Sequence, residues 1–335
     1  MHALVTGGGG FLGRAITEQL LARGDAVTIL ARHRYREVEA LGARGVLADL
    51  TRLETLDGVL EGVDVVFHVA SRTGVWGPRD EFMAVNVDGT RNLVEACWAQ
   101  GVDRLVYTSS PSATFHGGDA VDLTEAEASH PDQFDAAYPE SKARAEVIVQ
   151  EANGPHLTTT ILRPHLIYGP REPHMLPRLI DRHQRGRLRR IGDGRNKVSL
   201  TYIDNAAAAH LQAADALVKA GPTAGRAYFI ADSSPVTLWE WIDRFFVGIG
   251  LPPVQGSISP ALARRISGVL EWVWTTFSLD GEPPMTRFAA AQLSTSHTYD
   301  LSAARADFGY TPPVDGDEGL RRTIAWFRAH RPTPR

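Results

Sequence analysis

The chain has 335 residues, 43% of them hydrophobic, and a net charge of -4 from 35 basic and 39 acidic side chains. That length suits about two domains, or one large domain with an appended lobe, and the near-balanced charge removes any general electrostatic case for nucleic-acid binding. The single Cys97 forms no internal disulfide and implies no metal cluster, and no uncharged apolar run reaches the ~18 residues of a membrane span. With strand-like residues beginning at Ala3, the expectation is a cytoplasmic protein in which Cys97 is a buried thiol.

Taken in order, His2 to Thr6 reads as a strand, Phe11 to Arg23 as a helix with Leu12, Ile16 and Leu20 on one face, and Ala26 to Leu30 as a second strand. The alternation continues. Further strands are expected at Gly45 to Ala48, Val63 to Val69, Arg104 to Tyr107 and Thr159 to Leu162, with helices at Asn86 to Gln100 and Tyr138 to Glu151. Strand-helix alternation means an α/β fold with a doubly wound parallel sheet covered on both faces. Gly7, Gly10 and Gly13 fall at the first strand-to-helix turn, where missing side chains let the backbone approach a pyrophosphate at a helix N-terminus. At the end of the second strand, Leu30-Ala31-Arg32-His33-Arg34 carries no acid to hold ribose hydroxyls and at least one guanidinium to hold a 2'-phosphate, so NADPH is expected over NADH. Asp49 is a candidate to accept from the adenine amino group.

On the helix from Tyr138, residues four apart share a face, so Tyr138 and Lys142 present a phenol and an ammonium side by side. A phenol near ~10 must fall by about three units to work well at neutral pH, roughly 4 kcal/mol. One cation about 4 Å away at an effective dielectric of ~20 supplies energy of that order. His68, inside an apolar strand, reads as a satisfied core histidine, and Asn86 as structural or as a cofactor-loop anchor rather than an acid-base group.

Five ordered motifs now stand together: Thr6 to Gly13, Asn86-Val87-Asp88-Gly89-Thr90, Tyr107-Thr108-Ser109-Ser110, Tyr138 to Lys142, and Arg163 to Pro170. The chain resembles the extended short-chain dehydrogenase/reductases, and its glycine-rich and Tyr-Thr-Ser-Ser forms resemble the 3β-hydroxysteroid dehydrogenase branch. The resemblance implies a catalytic set of Ser110, Tyr138 and Lys142: the serine holds a carbonyl oxygen, the tyrosine donates a proton, and the lysine binds the nicotinamide ribose and lowers the tyrosine pKa. Ser109 and Ser112 lie close enough to leave the choice of serine open. The expected cofactor set is Gly7, Gly10, Phe11, Leu12, Gly13, Arg32, Asp49, Leu50, Ala70, Tyr138, Lys142, Pro164, His165 and Ile167. Related sugar-nucleotide dehydratases carry an Asp-Glu pair where this chain has Ser109 and Ser110, which favours simple carbonyl reduction or alcohol oxidation.

Beyond Tyr168 the pattern changes. Pro177 to Arg195 is rich in arginine, Val198 to His210 reads as a return to the main sheet followed by a helix, and Arg226 to Ile230 as another strand. The expected division is a nucleotide-binding domain of residues 1–165 with about 196–234, and a substrate lobe of about 166–195 with 235–335. Leu262, Ile266, Val269, Leu270, Val273 and Phe277 recur at helical spacing, widened by Trp272 and Trp274. That helix reads as a core element, a tunnel wall, a partner surface or a weakly membrane-associated helix with Arg264 and Arg265 at its polar end. Gly281 to Phe288, Asn196 to Asn205 and Asp307 to Tyr310 resemble a group in the same branch that reduces 3-oxo acids bearing two alkyl chains in bacterial olefin biosynthesis. This implies a hydrophobic substrate with a carboxylate, contacted by Trp76, Tyr168, Tyr202 and Arg287, and partner enzymes that form and decarboxylate a β-lactone. A homodimer is implied too, through the helices around Asn86 and Tyr138. The alternatives are a 3β-hydroxysteroid or sterol dehydrogenase and, further off, a sugar-nucleotide epimerase or reductase.

Overall fold

The computed structural model describes residues 1–330. Short apolar runs form seven strands of one sheet, in the order Ala227–Ile230, Thr158–Pro164, Arg104–Thr108, Val65–His68, His2–Thr6, Ala26–Ala31 and Arg44–Leu47. Every pairing in it is parallel. Because side chains alternate across a strand, the sheet divides its own core in two. Ala3 and Val5 face Ile16 and Leu20 of helix Phe11–Arg23 and Ala206 of helix Ile203–Ala216. Leu4, between them, faces Leu93 of helix Gly89–Ala99 and Val149 of helix Ala137–Ala152. Each valine, leucine or isoleucine among these, 0% exposed, contributes about 1.5–3 kcal/mol of burial. The chain order reverses between His2–Thr6 and Val65–His68, so a crevice opens beyond the C-terminal ends of those strands.

The expected strands and helices of the first 165 residues are all present, with ends shifted by a few residues. The helix expected from Asn86 begins as a wider turn, Met83–Asp88, before continuing as Gly89–Ala99. One expectation fails. The segment from Val198 does not rejoin the main sheet: Lys197–Val198 enters a four-stranded sheet with Val236–Thr237, His297–Tyr299 and Ala120–Leu123, and Thr201–Tyr202 pairs in parallel with Ile167–Tyr168. The reason is local. The Thr201 hydroxyl donates to the carbonyls of His165 (2.8 Å) and Ile230 (3.0 Å), turning the chain across the sheet's end, while Ala227–Ile230 takes the edge position beside Thr158–Pro164. Residues 331–335 of the expected substrate lobe lie outside the described residues.

Helix Ala137–Ala152 is locked to the sheet by a buried ion pair. Arg163 donates through Nε to Glu146 Oε1 (2.8 Å) and through a terminal nitrogen to Oε2 (2.7 Å), and His130 Nε2 lies 2.7 Å from the same oxygen. Burial raises the Glu146 carboxyl, but Arg163 and His130 outweigh it and hold it down at about 2. A carboxyl depressed on folding contributes stability that is fully present above its unfolded pKa near ~4.3 and is lost as pH falls toward about 2. Glu146→Gln leaves the buried Arg163 with a neutral partner, and urea unfolding at neutral pH should register a loss of about 3–5 kcal/mol. The same variant should show a flatter dependence of stability on pH across that acid range.

Candidate active site

The first strand ends at Thr6 and turns tightly: the Gly7 amide donates to Leu30 O (2.9 Å) and the Gly10 amide to Gly7 O (2.8 Å). Gly7 has φ +66°, and a Cβ on Gly13 would lie 2.2 Å from the Gly7 carbonyl oxygen, so helix and turn touch only because both are glycine. Gly10 caps helix Phe11–Arg23 without any side-chain hydrogen bond, so no side chain covers the first amides of the helix, which begins with Phe11, Leu12 and Gly13. Uncapped amides and the positive end of the helix dipole make a cradle for an anion. Ala70, at the end of the fourth strand, stands against Gly7, and buried Leu50 stands against Gly89. A Cβ on Gly9 would lie 2.0 Å from the ring of Tyr35, a residue that sequence reasoning missed and that closes the outer side of the loop.

At the second strand's end Arg34 pairs with Glu39 (3.2 Å). Arg32 is exposed and, among the described residues, makes no hydrogen bond or ion pair, which leaves its guanidinium free for an external anion. Asp49 accepts from the Thr51 amide (3.0 Å) and hydroxyl (2.9 Å). Burial works against its charge, but Thr51 and the nearby Arg32 and Arg52 prevail and lower its pKa.

Beyond the fifth strand, Ser110 caps the short turn Pro111–Thr114, its Oγ accepting from the Ser112 amide (3.2 Å) and the Ser112 hydroxyl (3.0 Å). Ser110 also stands close enough to Tyr138 to ease the upward shift of its phenol. Ser112 is buried and directed at Ser110; Ser109 is buried beside Glu146. Lys142, 2% exposed, donates to Thr108 O (2.8 Å) and to the Tyr107 hydroxyl (3.3 Å). Burial pushes Lys142 down to about 7, with Glu146 one turn away opposing the fall. The expected lowering of the Tyr138 phenol by Lys142 is not found: burial pushes Tyr138 up to about 12, eased only by Ser110. The ammonium is turned toward the end of the fifth strand, and the phenol keeps its proton at neutral pH, as a proton donor must.

Asn86 anchors as expected. Its amide nitrogen donates to Arg72 O (3.0 Å) and Ser141 Oγ (2.8 Å) while its oxygen accepts from the Arg72 amide (2.7 Å), tying the loop after the fourth strand to the helix of Tyr138. His68 is a satisfied core residue, held between Thr6 (2.8 Å) and Thr90 (2.9 Å) and pushed down to about 3 by burial, with Lys142 adding to the fall. Pro164 closes the strand Thr158–Pro164 and Ile167 opens the next short one. The His165 ring is turned to Ser199 O (2.6 Å) and packs on His297 and Tyr299.

Tyr138 opens onto a cleft of about 450 Å³ whose walls include Val75, Trp76, Phe82, Trp272 and Arg287. Trp76 and Arg287 stand where a ligand contact requires. Tyr168 and Tyr202 do not: both are buried in an aromatic cluster with each other, Trp241 adding to Tyr168, and the Tyr168 hydroxyl donates to Asp232 and to Gly316 O, each at 3.1 Å. Their expected substrate role is therefore corrected to one of packing. Arg287 is held by Glu271, which accepts from its Nε and its backbone amide at 2.6 Å. Glu271 went unnoticed in the sequence, although it is the lone acid in an otherwise apolar and basic helix. That helix, Pro260–Thr276, is not a core element of the expected kind: it buries Ala263, Ser267 and Glu271, leaves Leu270, Val273 and Trp274 half-buried, and turns Leu262, Ile266, Val269 and Trp272 outward.

The family model described as the 3-beta hydroxysteroid dehydrogenase/isomerase family matches residues 4–258. The chain is 44% identical over 326 residues to the 2-alkyl-3-oxoalkanoate reductase of Stenotrophomonas maltophilia, covering 97% of this chain and 99% of that protein. It is 34% identical to the human sterol-4-alpha-carboxylate 3-dehydrogenase, decarboxylating, over 97% of this chain and 87% of that one. The solved structure of MoeE5 in complex with UDP-glucose and NAD superposes with a TM-score of 0.74 at 25% identity, covering 98% of this chain and 99% of that chain.

Proposed function

Because the chain belongs to the 3-beta hydroxysteroid dehydrogenase/isomerase family, and is an NAD(P)-dependent oxidoreductase of alcohol and carbonyl groups, we propose that it reduces a long-chain 2-alkyl-3-oxoalkanoate to the 2-alkyl-3-hydroxyalkanoate with NADPH. The observation that carries the reading is one cleft lined by a proton-bearing Tyr138, with Ser110 beside the phenol, by apolar side chains and by Arg287.

The residues at the crevice fit a dinucleotide phosphate. Gly7, Gly10 and Gly13 leave room for a pyrophosphate at the uncapped amides of the helix that starts at Phe11 and Leu12, and Arg32 is free to bind a 2'-phosphate bidentately. Asp49, Leu50, Ala70, Pro164, His165 and Ile167 complete the proposed set. When bound, the cofactor supplies a hydride to the carbonyl carbon. The chain's own residues handle the oxygen: the Ser110 hydroxyl donates a hydrogen bond to it, and Tyr138 transfers its proton so that the product is a neutral alcohol. Lys142, fixed by Thr108 O, binds the ribose hydroxyls and brings positive charge to the phenolate left behind. Trp76, Phe82 and Trp272 wall off water around the alkyl chains, and the carboxylate is assigned to the terminal nitrogens of Arg287, whose Nε is already held by Glu271.

On this reading the sheet domain, residues 1–165 with about 196–234, carries the cofactor, and residues 166–195 with 235–335 carry the substrate. A homodimer through helices Gly89–Ala99 and Ala137–Ala152 is supported by the exposed Trp98 and Val147. The hydroxy acid is the substrate that β-lactone-forming and decarboxylating partner enzymes need. The proposed location is cytoplasmic; no described helix is long and apolar enough to cross a membrane. The 34% identity to a sterol-4-alpha-carboxylate 3-dehydrogenase keeps a sterol dehydrogenase as the second reading.

The purified protein should oxidise NADPH on a racemic 2-alkyl-3-oxo acid, and turnover of a sterol carboxylate without turnover of the branched acid would decide for the second reading. Tyr138→Phe should lower kcat by about 10²–10⁴-fold while leaving NADPH binding, read by fluorescence, in place. Arg32→Glu should cut kcat/KM for NADPH by about 10–100-fold and spare NADH, the loss of one charge-assisted contact. Arg287→Ala should raise KM for the acid by about tenfold or more and leave the methyl ester of the same substrate little changed.

A further inference from the structure

Helix Pro260–Thr276 is built inside out. Ser259 caps its first turn, accepting from the Leu262 amide (3.2 Å), and its inward side is small or polar: Ala263, Ser267, whose hydroxyl donates to Ala263 O (2.8 Å), and Glu271. Its outward side carries Leu262 (47% exposed), Ile266 (40%), Val269 (61%) and Trp272 (61%), and the ridge runs on into Phe277 (64%) and Leu279 (43%). Single exposed apolar residues need no explanation, but a continuous ridge of this size marks a contact surface. Gly268, Glu271, Trp272 and Thr275 of the same helix line the active-site cleft, so the ridge and the cleft share a border at Trp272.

The exposed charges at the start of the helix are basic, and Asp280 follows Leu279 at the far end of the ridge. Arg264 and Arg265 are exposed and make no ion pair among the described residues. Arg189, also exposed, packs beside Gly256, in the strand pairing of Arg190–Ile191 with Ser257–Ile258 that leads directly into the helix. Among the described residues its guanidinium is bonded only to Leu188 O (3.1 Å).

We propose that this ridge docks the protein onto an anionic phospholipid surface, with Leu262, Ile266, Val269 and Phe277 in the acyl boundary and Arg189, Arg264 and Arg265 among the headgroup phosphates. Apolar side chains on one arc, guanidiniums beside them and a tryptophan at the edge are the chemistry of an interfacial helix. Arg264 and Arg265 meet no carboxylate within ion-pair distance among the described residues, and headgroup phosphates supply that partner. Docking in this orientation sets the cleft's border against the lipid, so that a substrate with two alkyl chains enters past Trp272 without crossing water. That last consequence rests on the proposed reaction; the docking does not.

The test is co-flotation of the full chain with vesicles of phosphatidylglycerol and phosphatidylethanolamine, and with vesicles of phosphatidylcholine alone. The protein should float with the anionic vesicles, less as salt is raised, and only weakly with phosphatidylcholine. Ile266→Asp with Val269→Asp, neither residue lining the cleft, should lower vesicle affinity by about tenfold or more while kcat/KM on a short-chain soluble substrate stays unchanged. Arg264→Glu with Arg265→Glu should abolish the preference for anionic lipid, a second readout if the first variant folds poorly. Absence of flotation, flotation unaffected by both pairs, or a dimer that the aspartate pair converts to monomer without any lipid binding would overturn the proposal. Flotation without turnover of the branched acid would sink the proposed reaction and leave the docking surface standing.

Discussion

The site depends on how helix Ala137–Ala152 is held against the ends of the sheet. Two buried charged contacts, one helical turn apart, do this: Lys142 to the carbonyl of Thr108 and Glu146 to the guanidinium of Arg163. Neither charge is tolerable in the interior alone, so each must find its partner, and both partners sit near the C-terminal ends of neighbouring strands. Once the helix is fixed, Tyr138 in its first turn has one position, beside Ser110 at the end of the adjacent strand. Ser141 on the same turn then meets Asn86, which draws in the loop after the fourth strand. A packing requirement and a catalytic one are met by the same helix.

Burial also decides which groups carry protons there. His68 and His165 are both pushed down, to about 3 and about 4, and stay neutral at physiological pH. Tyr138 is pushed up and stays a phenol. Lys142 alone is left near neutrality, between the desolvation that strips its proton and Glu146, which favours keeping it. A crevice with one near-neutral cation and one proton-bearing phenol suits the arrival of an anionic cofactor and the delivery of a single proton.

The C-terminal residues obey a different logic. Asp232 accepts from the Tyr202 amide (2.9 Å), Asn205 (2.7 Å) and the Tyr168 hydroxyl (3.1 Å), and Asn205 in turn exchanges two hydrogen bonds with the backbone of Val314. This knot, packed under Trp241, anchors the lobe firmly to the sheet. Helix Leu238–Gly248 spends its apolar face on that core, burying Trp239, Trp241, Ile242, Phe245 and Phe246. Helix Pro260–Thr276 meets helix Arg287–Ser294 instead and leaves Leu262, Ile266, Val269 and Trp272 on the outside.

Strand alternation, the glycine turn and the four-residue spacing of Tyr138 and Lys142 were legible in the sequence because each is a local rule: side chains repeat every two residues on a strand and every 3.6 on a helix, and glycine is required wherever backbone meets backbone. Arg32 and Arg287 were legible as charges in a suggestive place. What local rules cannot carry is the identity of the other side of a contact. Tyr168 and Tyr202 carry the same phenol as Tyr138, and only the packing of Trp241 and Asp232 against them separates core from site. The ridge from Leu262 to Phe277 has the spacing of a core helix, and only tertiary structure shows that its narrow, polar side faces in. Periodicity tells which residues share a face; which face is buried depends on what the rest of the chain brings against it.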